Sequence, residues 1–275
     1  MEGFASLLDD AAVFPPGPAA QGGAPLTAAL PAHRAHRAAW YSPLLGPFVF
    51  PAGRISELSD PHNEVPLHVA LTGTGSGGLR AALEPVPSVR LTAVELVPDG
   101  EDLVALFDDQ LPGEVTGYVE VPRGPGRDVV LDALAGTRYR AKFRTGGLVP
   151  RAHPSEAELA ESILAAVSRG VPFKCTAGLH HAVRLTAPSD EGDLEQHGFL
   201  NVLLATAAAL DGASAPDLAA LLAQRDAATV AAQVQALGEA GVARARERFV
   251  SFGTCSIDDP VRDLTDLKLI EDRAA

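Results

Sequence analysis

Apolar, β-rich runs recur along the chain, separated by segments with helical spacing and by Gly/Pro turns, at intervals of roughly 20 to 30 residues. Strands are predicted at Leu44 to Phe50, Pro66 to Thr72, Val89 to Val97, Val115 to Val121, Tyr139 to Thr145, Pro172 to Ala177 and Phe249 to Phe252. Helical or turn-like segments are predicted at Leu26 to Ala39, Arg54 to Ser59, Leu79 to Glu84, Glu101 to Asp108, Arg127 to Ala135 and Ser155 to Arg169. The last opens on Ser155 and Glu158 at capping-box spacing. Alternation of this kind implies parallel strands with crossover helices. The fold class expected is α/β, a (β/α)8 TIM-type barrel, with a doubly wound sheet as the other arrangement of the same units. Residues 196 to 247 read as Ala/Leu-rich helix and conceal a strand, so an irregularity is expected near the seventh strand. Neither a repeat nor a long linker divides the 275 residues, which read as one domain, 1–275, with an irregular and helical extension over residues 1–40.

Composition narrows the partners. A net charge of −13 argues against nucleic acid, and no apolar run reaches the roughly 20 residues of a membrane span. The acidic start MEGFASLLDD lacks the basic region of a signal peptide, so a cytoplasmic protein is expected. Cys175 and Cys255 have no metal-ligand spacing and read as free thiols. Neither metal nor cofactor is expected, and a homo-oligomer is compatible with the sequence.

Candidate chemistry lies at the C-terminal ends of the predicted strands, where barrels carry their sites. Glu95 closes AVELVP, Glu120 closes YVEVP, Lys142 and Arg144 lie in YRAKFRTGG, and Lys174 lies in VPFKCTAGLHH. The side-chain period of two puts Lys142 and Arg144 on one face of their strand, with Lys174 and Thr176 on one face of the next. Phe143 and Cys175 then point outward, under the helices. Only three of the 22 basic residues are lysines, so lysine in a strand reads as a choice for its amine. Burial and neighbouring cations are expected to lower the pKa of Lys174 and make it a nucleophile, with Lys142 assisting and Glu120, Glu95 or His180 moving protons. Arg144, Thr145, Gly146, Gly147, Thr176, His181, Ser251 and Gly253 are the expected contacts of a small anionic metabolite. The polar stretch from Ala182 to Gln196 is long enough to be a lid. No role is assigned to Asp9, Asp10 or the Phe14–Pro16 segment.

A lysine at the end of the sixth predicted strand, here Lys174 in FKCTAG, with Lys142 in AKFRTGG and Glu120 beside it, resembles the class I, Schiff-base aldolases and dehydratases. The resemblance covers about a third of the chain and implies a lyase or isomerase working on a carbonyl compound through a lysine imine. LLDDAAVFPP, AKFRTGG, FKCTAGLHH and SFGTCSIDDP also look like an uncharacterised bacterial family of barrels, which implies the fold and leaves the activity open. Two rivals stand beside the imine reading. One is a ligand-binding barrel without catalysis, in which the charges satisfy one another. The other is a nucleotide-binding oxidoreductase using Gly73 to Gly78, which satisfies GxGxxG after a strand and before LRAAL, with Glu95 on the following strand.

Overall fold

The computed structural model describes residues 2–14, 23–59, 65–189 and 192–271. Eight parallel strands close into a barrel: β1 (Leu8–Asp10), β2 (Leu45–Pro51), β3 (Leu67–Thr74), β4 (Val89–Val97), β5 (Thr116–Glu120), β6 (Arg140–Arg144), β7 (Phe173–Thr176) and, last in the chain, β10 (Phe249–Thr254). Strands β8 (Leu185–Ala187) and β9 (Leu194–Gln196) pair antiparallel outside the barrel. The helices are α1 (Leu26–Ala38), α2 (Gly75–Ala82), α3 (Leu103–Gln110), α4 (Arg127–Leu134), α5 (Glu156–Ser168), α6 (Phe199–Leu210), α7 (Ala215–Ala223), α8 (Ala227–Arg246) and α9 (Asp258–Asp266). Between β2 and β3 the described crossover is a 3-10 turn, Ala52–Leu58.

The (β/α)8 barrel is as expected, but the strand count differs. The eighth strand lies in the segment read as an extension: β1 pairs with β10 on one side and β2 on the other, closing the barrel. Its three residues are too few for alternation to register. No barrel strand lies in the described chain between β7 and β10, where α6, α7 and α8 follow the small hairpin. Residues 1–40 therefore supply the first strand and first helix, and the strand bearing Lys174 is the seventh, not the sixth. Pro15 and Pro16 of the Phe14–Pro16 segment lie outside the described residues.

Most of the apolar core lies between the strands and the helices. Phe50, Leu71, Val94, Val119, Phe143, Cys175 and Phe252 face outward from their strands and are buried there. Leu159 and Ile163 of α5 and Leu200 and Leu203 of α6 belong to the same core. Helix α5 starts on the predicted capping box, since the Ser155 and Glu158 side chains both meet the opposite backbone N–H. Inside the barrel the apolar cluster is small, Val49, Ala70, Ala93 and Tyr118, with Ala11, Phe14 and Val250 against it. The rest of the interior is polar.

Candidate active site

The inward-facing positions of β1, β4, β5, β6 and β7 meet in an alternating chain of charges. Strand register does the placing, because Glu120 is paired with Lys142, Lys142 with Lys174, Lys174 with Ser251 and Asp9 with Gly253. Lys174 Nζ lies 2.5 Å from Asp9 Oδ2 and 2.5 Å from Glu95 Oε1, and is 1 % exposed. The second Glu95 oxygen lies 3.5 Å from Lys142 Nζ, which is 3.1 Å from Glu120. Glu120 in turn accepts both prongs of Arg144 at 3.1 and 3.3 Å. Below this chain Ser251 donates to Asp9 at 2.8 Å, and the Tyr118 ring lies 5.3 Å from Lys174 Nζ. Glu95, Glu120, Lys142 and Lys174 thus form one connected cluster, as their strand positions predict.

Electrostatics reverses one expectation. Burial by itself pulls the Lys174 ammonium down, but Asp9 and Glu95 beside it outweigh burial and hold its pKa above the ordinary lysine range. The sequence-based argument counted the cations near Lys174 and missed Asp9. Burial raises Asp9, whereas for Glu95 the two lysines overcome burial and leave the carboxyl below its ordinary value. For Glu120 burial is the largest single influence and raises the carboxyl, but Lys142 and then Arg144, with their hydrogen bonds, together outweigh it and leave it lowered. Lys174 is therefore a charged bridge between two carboxylates, against the expectation of a lowered pKa.

Above the cluster opens a cavity of about 610 Å³ at the C-terminal ends of the strands. Glu95, Glu120, Lys142 and Lys174 line its floor, Arg144 its rim, and Gly146, Gly147, Thr176, His180 and Gly253 its walls. Three expected contacts fall elsewhere. Thr145 is buried and donates its hydroxyl to the Ala177 carbonyl at 2.6 Å, fastening β6 to β7. His181 faces Asp263 at 3.1 Å, and Asp263 holds its pKa up. Ser251 serves Asp9 from beneath. His180 lines the cavity with burial pressing its pKa down to about 4, so it is a neutral imidazole. Its Nδ1 lies 3.4 Å from Cys255 Sγ, a thiol that burial raises to about 11. Hairpin strand β9, within the stretch read as a lid, contributes Leu194 and Gln196 to the wall.

The glycine motif is structural. A Cβ on Gly73 would stand 2.7 Å from Gly78 Cα, so these glycines let α2 lie against β3. The backbone N–H of Ser76 at the start of α2 is taken by Glu101 at 2.7 Å, and Glu95 is committed to two lysines. A closed barrel also lacks the crevice at which an open sheet binds dinucleotides. The oxidoreductase reading is therefore dropped.

Sequence reasoning also missed Asp9, His153 and Cys255. For Asp9 a signal existed, two acids embedded in the apolar run of LLDDAAVF; alternation turns Asp9 inward and Asp10 outward to His33, 2.8 Å away. His153 and Cys255 lie on the cavity wall with no sequence pattern to announce them.

Fold and site together define a (β/α)8 barrel with a buried, charge-alternating cluster beneath a cavity at the C-terminal end of its strands. No family model, no curated protein and no solved structure matches this chain. No helix among the described residues is long and apolar enough to cross a membrane.

Proposed function

We propose that the protein is an enzyme of small-molecule metabolism, a lyase or isomerase acting on a carbonyl compound that bears a carboxylate or phosphate, with Lys142 as the imine-forming amine. The observation that carries this reading is the position of Lys142. It is the lysine of the sixth strand once β1 is counted, it lines the cavity, and Glu120 lies 3.1 Å from its amine. The resemblance to Schiff-base aldolases and dehydratases, which rests on a sixth-strand lysine, thereby moves from Lys174 to Lys142.

Glu120 at 3.1 Å accepts a proton from the Lys142 ammonium, freeing the lone pair for attack on the substrate carbonyl. The same proton returns to the carbinolamine oxygen, which leaves as water, so ammonium and carbonyl become iminium and water with no net proton change. The iminium then accepts the electron pair of the adjacent C–H or C–C bond as that bond breaks. Glu95 and neutral His180 flank the cavity and are the groups available to take or return the proton at carbon. Lys174 acts through Glu95, holding it ionised and in place. Arg144, whose side chain is 46 % exposed, with Gly146 and Gly147, offers the substrate's anionic group a cationic rim.

The test is borohydride reduction in the presence of a panel of small keto and aldehyde acids and phosphates, followed by peptide mass mapping. A reduced adduct is expected on the peptide carrying Lys142, lost in Lys142→Arg. An adduct on Lys174, or none with any carbonyl compound that turns over, overturns the assignment. A binding barrel without catalysis has one observation in its favour, the pairing of every cation in the cluster with a carboxylate; ligands that stabilise the protein but never turn over distinguish it.

A further inference from the structure

The barrel has a second cavity, of about 230 Å³, at the opposite, N-terminal end of the strands. Residues from all eight strands or the turns leading into them surround it, and Lys174 reaches both cavities. The lower layers of such a barrel are ordinarily filled by bulky branched side chains. Here Pro47, Ala70, Thr92, Ala93 and Thr116 occupy those positions and leave the space open.

The charge in this space is unbalanced. Arg140, Arg246 and Lys174 line it with one carboxylate, Asp9, which is already bound to Lys174 and Ser251. Among the described residues, neither arginine has a carboxylate within ion-pair distance. Arg246 bonds only backbone carbonyls, of Phe249 at 2.6 Å and Ala5 at 2.9 Å, and Arg140 donates to the Tyr118 hydroxyl at 3.2 Å. Carbonyls satisfy hydrogen bonds and leave the positive charge uncompensated. Burial accordingly pulls the Arg246 pKa down to about 10, with Asp9 and Tyr118 only partly restoring it. Because the Tyr118 hydroxyl accepts from Arg140, its own proton is free to be donated into the space.

We propose that the N-terminal end of the barrel is a second binding site, for a small oxyanion of the size and chemistry of inorganic phosphate, held by Arg140, Arg246 and the Tyr118 hydroxyl. The site is separate from the substrate cavity and does not depend on the imine reading. It lies directly beneath Asp9 and Lys174, so its occupancy acts on the cluster from below.

Isothermal titration and thermal unfolding of the whole chain with inorganic phosphate, against chloride at matched ionic strength, test the site. Saturable stabilisation by phosphate is expected in the unaltered protein. Arg140→Met should weaken the affinity at least tenfold, and Arg246→Met should act likewise. Ala93→Leu, which keeps both arginines and fills the space, should do the same. Arg54→Met, at an exposed arginine on the turn after β2 that lines neither cavity, should leave this affinity unchanged. Should Arg246→Met fail to fold, because it also ties Ala5 to Phe249, Arg140→Met and Ala93→Leu decide the matter. No phosphate effect beyond chloride, retention of affinity in Arg140→Met or Ala93→Leu, or loss in Arg54→Met alone each overturns the proposal.

Discussion

Glu95→Gln is the most informative single change, because Glu95 is the carboxylate shared by both strand lysines. The substitution keeps volume and removes one charge from a site that is 1 % exposed. Its amide oxygen can serve one lysine only, and its amide NH2 then faces the other ammonium, originally 2.5 or 3.5 Å away. Three cations, Lys142, Arg144 and Lys174, are left with two carboxylates, Asp9 and Glu120. Breaking a buried ion pair from one side costs about 3 to 5 kcal/mol, mostly as an uncompensated buried charge. With an unfolding entropy of about 2 cal/mol/K per residue over a chain of this length, the midpoint should fall by about 5 to 9 °C. Thermal unfolding followed by circular dichroism at pH 7 measures it. The double variant Glu95→Gln/Lys174→Met returns the cluster to two cations, Lys142 and Arg144, with two carboxylates, Asp9 and Glu120, and a cycle completed by Lys174→Met measures the coupling of Glu95 to Lys174. A Glu95→Gln protein as stable as the parent, or a cycle that shows no coupling between Glu95 and Lys174, refutes the view that charge compensation holds this cluster.

Other expected outcomes concern pH and packing. His180 and His197 are both held near 4 by burial, while the unfolded chain titrates near 6.5, so unfolding takes up protons between those values and stability should fall as pH drops below about 6.5. His197 donates through Nε2 to the Pro154 carbonyl and accepts from Arg184 at Nδ1, so a shallower acid slope in His197→Gln, read from urea unfolding at pH 7 and pH 5, checks this. Glu95, lowered in the fold, stabilises above its unfolded value and loses that contribution at still lower pH; Lys174, raised, contributes below about 10.5 and loses stability only in more alkaline solution. Asp9 works against Glu95, since a carboxyl raised by burial favours the fold in acid; Asp9→Asn should therefore steepen the loss of stability as pH falls toward 3.8, the ordinary aspartate value. Gly73→Ala forces a Cβ within 2.7 Å of the Gly78 backbone and should cost about 1 to 3 kcal/mol; an unchanged unfolding midpoint contradicts the packing role.

What the sequence by itself determined was the alternation of strand and helix, and with it parallel strands; the barrel was the expected arrangement, and its closure through β1 came from the structure. Hydrophobic periodicity is local and survives reading one residue at a time. It also supplied Glu95, Glu120, Lys142 and Lys174 as one inward-facing set, because a period of two fixes side and strand order fixes neighbourhood. Only the tertiary structure decided who neutralises whom. Asp9 comes 165 residues before Lys174 in the chain and meets it because β1, β10 and β7 are adjacent when the barrel closes. That closure hydrogen-bonds a three-residue strand too short to show a pattern of its own. It surrounds Lys174 with carboxylates where cations were expected and makes Lys142 the lysine of the sixth strand. The glycines at 73 and 78 show the same limit, since a spacing that suits a phosphate also suits a helix resting on a strand, and only the distance between their backbones separates the two.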